Sequence, residues 1–520
     1  MPDTSASEVV HDKPPQWFHS NVPATHLDAF EELPISGFAN IRIPDGADCE
    51  QLRLPGTLAV TESFDVGDDL LDIAESVEHP LVDYSGQPKG QSFRSMVSKT
   101  WGRMAGSSVW LEKYGVYLTV SRVYFYDKGV RHWPVISFIR AQIHDASWNH
   151  LKGYKLEWQG ETITFPRALD IPIPYDNGGA FYGPEDPRIA IEEGVPDAEP
   201  VVIFNMVEDP KTKVRSMHTF RPFSNYTTKL YIERSTANMA EKNWSPFFIP
   251  PVNATVERKY PNHYIHFLYD YHPLKVLRCH LANGACSWAY QQDFPAAYYK
   301  AHKHNDTGGV MRGGTNFVPI NVQNRLGLSS FVGFPRTHTD AGCGNEAIYR
   351  PELMVLTTNG THFWVDYSSQ ALDFGHSLLT HAQIEDACDS GRILLANSIT
   401  RIDDVNGRDE TTVFFTVADS TVQVARIRGI RQLVQELPQF NSLSWQESDI
   451  QWNLNVTRDV MECSIQSATD YAWANTTPAQ IEERRKKEQV EEEKKKAAAE
   501  EEKKKLKEDK ELVAQKDAMG

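Results

Sequence analysis

The chain has 520 residues, more than one ordinary domain of ~100–200 residues accounts for, and 53 Lys and Arg against 70 Asp and Glu leave a formal charge of −17. Residues 481–520 hold 13 basic and 13 acidic side chains, so the whole of that charge sits on residues 1–480. An acidic body repels phosphate backbones, which argues against a nucleic-acid partner, and a composition 40% hydrophobic and 11% aromatic excludes a chain disordered throughout.

Residues 1–100 read as an irregular, wrapping region, because Pro14, Pro15, Pro34, Pro44, Pro55 and Pro80 interrupt its short apolar runs. Neither an apolar signal core near the start nor an uninterrupted apolar run of membrane-spanning length is visible in the chain. From residue 116 the pattern changes. VYLTVSRVYFY (116–126) and residues 135–143 are β-branched and aromatic runs of strand length. Similar runs recur as YKLEW at 154, TITF at 162, VVIFNMV at 201, KLYIE at 229 and YIHFLYD at 264. They continue as LSSFVGF at 328, LMVLTT at 353, THFWVDY at 361, ILLAN at 393, TVFFTV at 412 and TVQVARI at 421. These make about five clusters, and an all-β, five-bladed propeller over residues 101–477 buries that many short strands while protecting their edges. A pair of double-sheet sandwiches is the alternative. Residues 478–520 place Glu three and four positions before Lys repeatedly, which predicts a solvated, charged helical tail serving as a spacer or a dispensable extension.

The six cysteines are even in number, and seven Asn-x-Ser/Thr sequons occur at Asn225, Asn243, Asn253, Asn305, Asn359, Asn455 and Asn475. In VLRCHLANGACSWAY a hairpin turning at residues 282–284 sets Cys279 opposite Cys286, within disulfide reach or as two buried thiols. Together these features favour a secretory-pathway lumen.

Common chemical signatures are missing: there is no G-x-x-x-x-G-K-[ST], H-E-x-x-H, C-x-x-C or Asp-x-Asp. Without the last, a protein that handles a nucleotide sugar must neutralise the diphosphate with Arg, Lys or His rather than with a metal ion. One segment, GGAFYGPEDPRI (178–189), stands out. Pro187 restricts Asp186 while Gly183 and Pro184 shape the approach, so Glu185, Asp186 and Arg188 are displayed on one rigid turn, either as a positioned acid/base beside a phosphate-binding cation or as an ordinary turn closed by an ion pair.

YGPEDPRI resembles the Gly-x-Glu-Asp-Pro-Arg motif of the β-mannoside phosphorylases and hydrolases, a five-bladed propeller family, and KNWSPF (242–247) is similar to their Lys-Asn-Trp segment. YGVYLTVSRVYF at 114, YDYHPLKVLRC at 269 and RGGTNFVP at 312 resemble the fungal β-1,2-mannosyltransferases of cell-wall mannan synthesis. The resemblance covers roughly residues 95–475. It implies an inverting transfer of mannose from GDP-mannose to a mannan or oligomannoside acceptor, with Asp186 as the proton-accepting carboxylate; the missing Asp-x-Asp adds the expectation of no resident cofactor or metal. It further implies that Arg188 meets Asp186 or a phosphate and that Lys242 and Asn243 bind sugar hydroxyls or diphosphate, Asn243 then being unglycosylated. A Golgi lumen or membrane location follows from the same resemblance, although the family's membrane anchor is not visible in this chain. Arg122, Arg221, Arg312, Arg336, His338 and Arg350 are further candidates for the leaving diphosphate, since a propeller funnel gathers loops from every blade. Gly313 and Gly314 permit close backbone approach, and Trp133, Trp244, Tyr269 and Tyr271 are candidates for stacking on sugars or for the core. The alternatives are a β-mannoside phosphorylase or hydrolase on the same fold, and a mannan-binding module without catalysis.

Overall fold

The computed structural model describes residues 29–490 except 42–47, 69, 127–132, 177–178, 193–194, 196–197, 235–240, 251–262, 295–308, 321–326, 341–342, 344–346, 389, 406, 441–449, 484 and 487–488. Most of the expected charged tail, residues 491–520, therefore lies outside the described residues, as do Asn253 and Asn305.

The β-branched and aromatic runs form strands, and the strands form a propeller-like arrangement of sheets, antiparallel except where Tyr231–Ile232 runs parallel to Ala285–Gln291. One sheet contains Trp101–Leu111, Val116–Phe125 and Ile136–His144; the next contains Pro184–Ala190, Val201–Asp209, Val214–Arg221 and Tyr226–Lys229. A third runs from Ser245–Phe247 through Tyr264–Tyr271 and Leu274–His280 to Ala285–Gln291, and a ten-stranded sheet takes most of the remainder. Their first strands approach one another at the centre. Ile189 N donates to Ser107 Oγ (2.9 Å) and Ser108 N to Ser398 Oγ (3.1 Å). Asn316 exchanges side-chain bonds with the backbone of Ile399 (3.0 and 2.9 Å), and Phe317 N donates to Pro246 O (2.9 Å). Small polar side chains at these positions let the strands converge while satisfying buried backbone groups. The apolar cores lie between neighbouring sheets, as in the cluster of Leu118, Ile139, Ile143, Phe165, Ile189, Val202 and Phe204.

Two expectations are corrected. Residues 30–61 are not an irregular wrap: Phe30–Ala39 and Arg53–Thr61 form a hairpin. This hairpin joins Phe363–Ser369 to Gln423–Arg428 inside the ten-stranded sheet, thereby linking late strands through an early segment. Pro34 is tolerated because Phe30–Ala39 has a second partner only at residues 37–39, so the proline's missing N–H breaks no ladder there. The stretch assigned to the propeller up to residue 477 also ends in a helix, Ile450–Ala474. That helix hides from an apolar-periodicity search because its buried face includes Asn453, Thr457, Ser464 and Thr469. It docks by polar contacts instead: Thr457 Oγ1 accepts from Val365 N (3.0 Å) and Ser464 Oγ donates to Ser369 O (2.8 Å).

All six cysteines are paired, as Cys49–Cys463, Cys279–Cys286 and Cys343–Cys388. The second pair lies directly opposed across a hairpin. The first ties the helix Ile450–Ala474 to an early segment 414 residues away. Closing so long a loop restricts the unfolded chain most, so Cys49→Ser is expected to cost about 2–5 kcal/mol, read as a lower denaturation midpoint, whereas the short Cys279–Cys286 loop contributes less.

Candidate active site

The segment read as a rigid turn is instead a bulged strand. Pro184–Ala190 pairs with Val201–Asp209, and the register shifts between Glu185 and Arg188. Asp186 sits on that bulge with φ 51°, a left-handed conformation that removes it from the ladder and turns it toward Arg122. Pro187 lacks the N–H that a regular ladder would require next, so the sequence itself disfavours a flat strand here. Glu185 and Asp186 then take different roles. Glu185 is buried and lies 3.4 Å from Arg122 Nη2, 3.2 Å from Arg215 Nη2 and 3.2 Å from Arg215 Nε. Asp186 keeps 37% of its side chain exposed, with Oδ1 3.8 Å from Arg122 Nη1.

Four cations act on Asp186. Burial opposes its ionisation, but Arg122, Arg188, Arg336 and Lys242 outweigh burial and hold the carboxyl below the usual carboxylate range. Arg188 is buried, donating from Nε to Gly314 O (2.6 Å) and from Nη1 to the backbone carbonyls of Asp186 (3.0 Å) and Pro187 (3.3 Å). Burial first and then repulsion from Arg336 pull the Arg188 pKa down to about 10, which leaves it a cation at neutral pH. Gly314 is required for this contact: at φ 102°, an added Cβ would lie 2.0 Å from Phe334 O. Arg336 donates from Nη2 to Asn243 Oδ1 (2.8 Å), while its buried Nη1 has no hydrogen-bond partner among the described residues. Lys242 is exposed. His338 lies beside Asp340 (3.3 Å), and burial, reinforced by Arg312, Arg336 and Lys242, depresses its pKa. Arg312 is exposed on the strand Val310–Arg312, opposite Arg336 in register.

The structure thus brings Glu185, Asp186, Arg188, Arg122, Lys242, Asn243, Arg336, His338 and Arg312 into one cluster. It places three other candidates elsewhere. Arg221 pairs with Glu199 (3.7 Å). Arg350 is buried, donating to Tyr471 Oη (3.3 Å) and to the carbonyls of Tyr349 (2.8 Å) and Arg392 (3.2 Å), and so pins the long helix to the sheet. Trp244 is buried core, its indole donating to Glu241 (3.2 Å) and packing against Phe267 and Tyr269. Among the other aromatic candidates, Tyr271 is a buried support that donates to Gly313 O and bonds Ser245 Oγ, each at 2.7 Å. Trp133 is 59% exposed against Phe181.

Sequence reasoning missed three groups. Arg215 lies outside any motif. Asp419 sits at φ 49° in the turn after Arg408–Val417, and burial together with the nearby Asp186 pushes its pKa up. Its surroundings TVADSTV read as an ordinary hairpin turn, so no local signal marks it. Glu352 is fully buried beneath the site, and burial raises its pKa well above the ordinary value. A carboxyl protonated in the fold but ionised in the unfolded chain stabilises less as pH rises through the interval between those two pKa values. Glu352→Gln is therefore expected to flatten the fall in stability from about pH 4.5 upward; thermal melts from pH 5 to 8 check this. Among the described residues, no group of three or more His, Cys, Asp or Glu is arranged to hold a metal ion.

The family model of the beta-mannosyltransferases matches residues 49–221 and 216–471. Beta-mannosyltransferase 4 of Komagataella phaffii is 31% identical over 440 residues, covering 82% of this chain and 81% of the relative. Beta-mannosyltransferase 2 of the same yeast is 31% identical over 480 residues, covering 86% and 72%. Among solved structures, a Trypanosoma rangeli sialidase aligns over 79% of this chain and 56% of its own with 9% identity and a TM-score of 0.34.

Proposed function

The chain belongs to the beta-mannosyltransferase family and is a glycosyltransferase, and on that premise we propose that it moves mannose from GDP-mannose to the 2-hydroxyl of a mannan or oligomannoside acceptor, inverting the anomeric centre. The observation that carries this reading is a bulge-borne, partly exposed carboxylate, Asp186, set among Arg122, Arg188, Arg336 and Lys242. In the reaction, Asp186 takes the acceptor proton, directly or through a neighbouring sugar hydroxyl. The freed oxygen bonds to the anomeric carbon from the face opposite the phosphate. The carbon–oxygen bond to the diphosphate breaks, and GDP leaves with its charge held by the cations.

A carboxylate held below its usual pKa is ionised at neutral pH but is a poor base. The donor corrects that. A bound diphosphate neutralises the surrounding cations and thereby raises the basicity of Asp186 only when the donor is present. This arrangement couples base strength to occupancy and supports transfer without a resident metal or other cofactor. Incubation with GDP-mannose, an acceptor and excess chelator tests it: turnover abolished by chelator and restored by Mn²⁺ contradicts the metal-free reading.

The same reading counts five blades. The ten-stranded sheet is taken as two blades, one starting at Val318–Pro319 and one at Leu394–Val405, fused at their outer edges by Phe30–Ala39. Three disulfides, with no free cysteine among the described residues, support folding in an oxidising secretory compartment. No helix among the described residues is long and apolar enough to cross a membrane.

A further inference from the structure

A cavity of about 690 Å³ opens at the other end of the innermost strands, where Trp101–Leu111, Pro184–Ala190 and Leu394–Val405 finish or pass. From Asp186 to Ile191 the chain advances roughly 15–20 Å at about 3.3 Å per residue, so this cavity faces away from the catalytic mouth. Its volume is that of a small-molecule site. Its walls combine two chemistries. Trp110, Tyr114, Trp158 and Phe223 supply aromatic surface, with the Trp158 and Phe223 rings 5.1 Å apart. Charged groups interleave with them: Arg401 lies 5.0 Å over the Trp110 ring, and Glu112 accepts the Trp110 indole N–H at 2.7 Å. A purely apolar ligand would offer no hydrogen bond to the charged groups of these walls, whereas a polyol ring presents a C–H face to the aromatic surface and hydroxyls to the charged groups interleaved with it.

We propose that this cavity is a second carbohydrate site that holds a distal stretch of the mannan acceptor while another stretch reacts at Asp186. The proposal rests on the functional reading above for the identity of the polymer. Its gain is multivalent: a chain already held at one face meets the catalytic mouth at a raised effective concentration. Short acceptors cannot span the two faces and gain nothing.

The test uses the full chain, with Val195→Arg to fill the cavity and Tyr114→Ala to remove one wall; each variant is used only with a melting temperature near wild type. The expected result is a KM for soluble mannan raised about 5–10-fold, with kcat and the KM for mannobiose unchanged. Calorimetric titration of mannotetraose into the Asp186→Asn protein is expected to show a second site that Val195→Arg abolishes. Equal mannan KM values in wild type and variants, or unchanged mannotetraose stoichiometry, overturn the proposal. So does occupation of the cavity by the alkyl chain of octyl glucoside with no mannotetraose binding there. If no transfer from GDP-mannose occurs at all, the functional reading fails, and the mannotetraose titration still decides this one.

Discussion

Asp186→Asn is expected to lower kcat for transfer by about 10²–10⁴-fold, the range by which a positioned general base accelerates reactions, while leaving donor binding intact. The substitution is nearly isosteric, the side chain is 37% exposed, and Arg122, which it meets at 3.8 Å, keeps Glu185 as its partner, so the fold should not change. Loss of the negative charge also relieves an attraction on Arg122, Arg188, Arg336 and Lys242, so these cations become freer to engage the diphosphate and GDP-mannose affinity should hold or rise. A parallel loss of donor binding would mean that Asp186 organises the cations rather than accepting a proton. The pH profile follows from the same electrostatics. Because the folded pKa lies below the ordinary carboxylate value, Asp186 stays ionised through the neutral range, and activity of the free enzyme should fall only on acidification below about pH 4. An acid limb near pH 6 to 7 in kcat/KM would point to another base.

Arg336→Met is expected to weaken GDP-mannose binding about 10–150-fold, the worth of ~1.5–3 kcal/mol for a hydrogen bond to a charged group. The methionine keeps most of the buried stem and removes only the guanidinium. Three observations single out Arg336: Nη2 is fixed by Asn243 at 2.8 Å, Nη1 is buried without a partner among the described residues, and its charge acts on Asp186, Arg188 and His338. Arg221→Met is the control. Its guanidinium pairs loosely with Glu199 at 3.7 Å, away from the cluster, so donor affinity should change less than about twofold. Equal effects of the two substitutions would show that net charge, not position, governs donor binding.

The outer strands were legible in the sequence because they bury β-branched and aromatic residues in uninterrupted runs; Val116–Phe125 and Val201–Asp209 are examples. The innermost strands were not. Trp101–Leu111 contains Gly102, Gly106, Ser107 and Ser108, small residues that let strands meet at the channel and that read as loop when packing is unknown. Pro184–Ala190 carries two prolines that signal a turn until the bulge explains them. Asp186, Arg188, Lys242 of the KNW segment and Arg312 of RGGTNF, which the fold gathers together, were recognisable because their motifs are local. Arg215 and Asp419 were not, since they join the cluster only when separate sheets pack together, and nothing in their own sequence neighbourhoods marks them. The polar face of Ile450–Ala474 shows the converse, a helix whose docking bonds erase the apolar periodicity by which helices are found.

The most direct measurement of the central claim is an NMR analysis of the product formed from GDP-α-mannose and a mannobiose acceptor, run beside phosphate plus β-1,2-mannobiose. The account predicts a β-1,2-linked trisaccharide and free GDP in the first reaction and no mannose 1-phosphate in the second; an α-linked product, or turnover only in the second reaction, would contradict it.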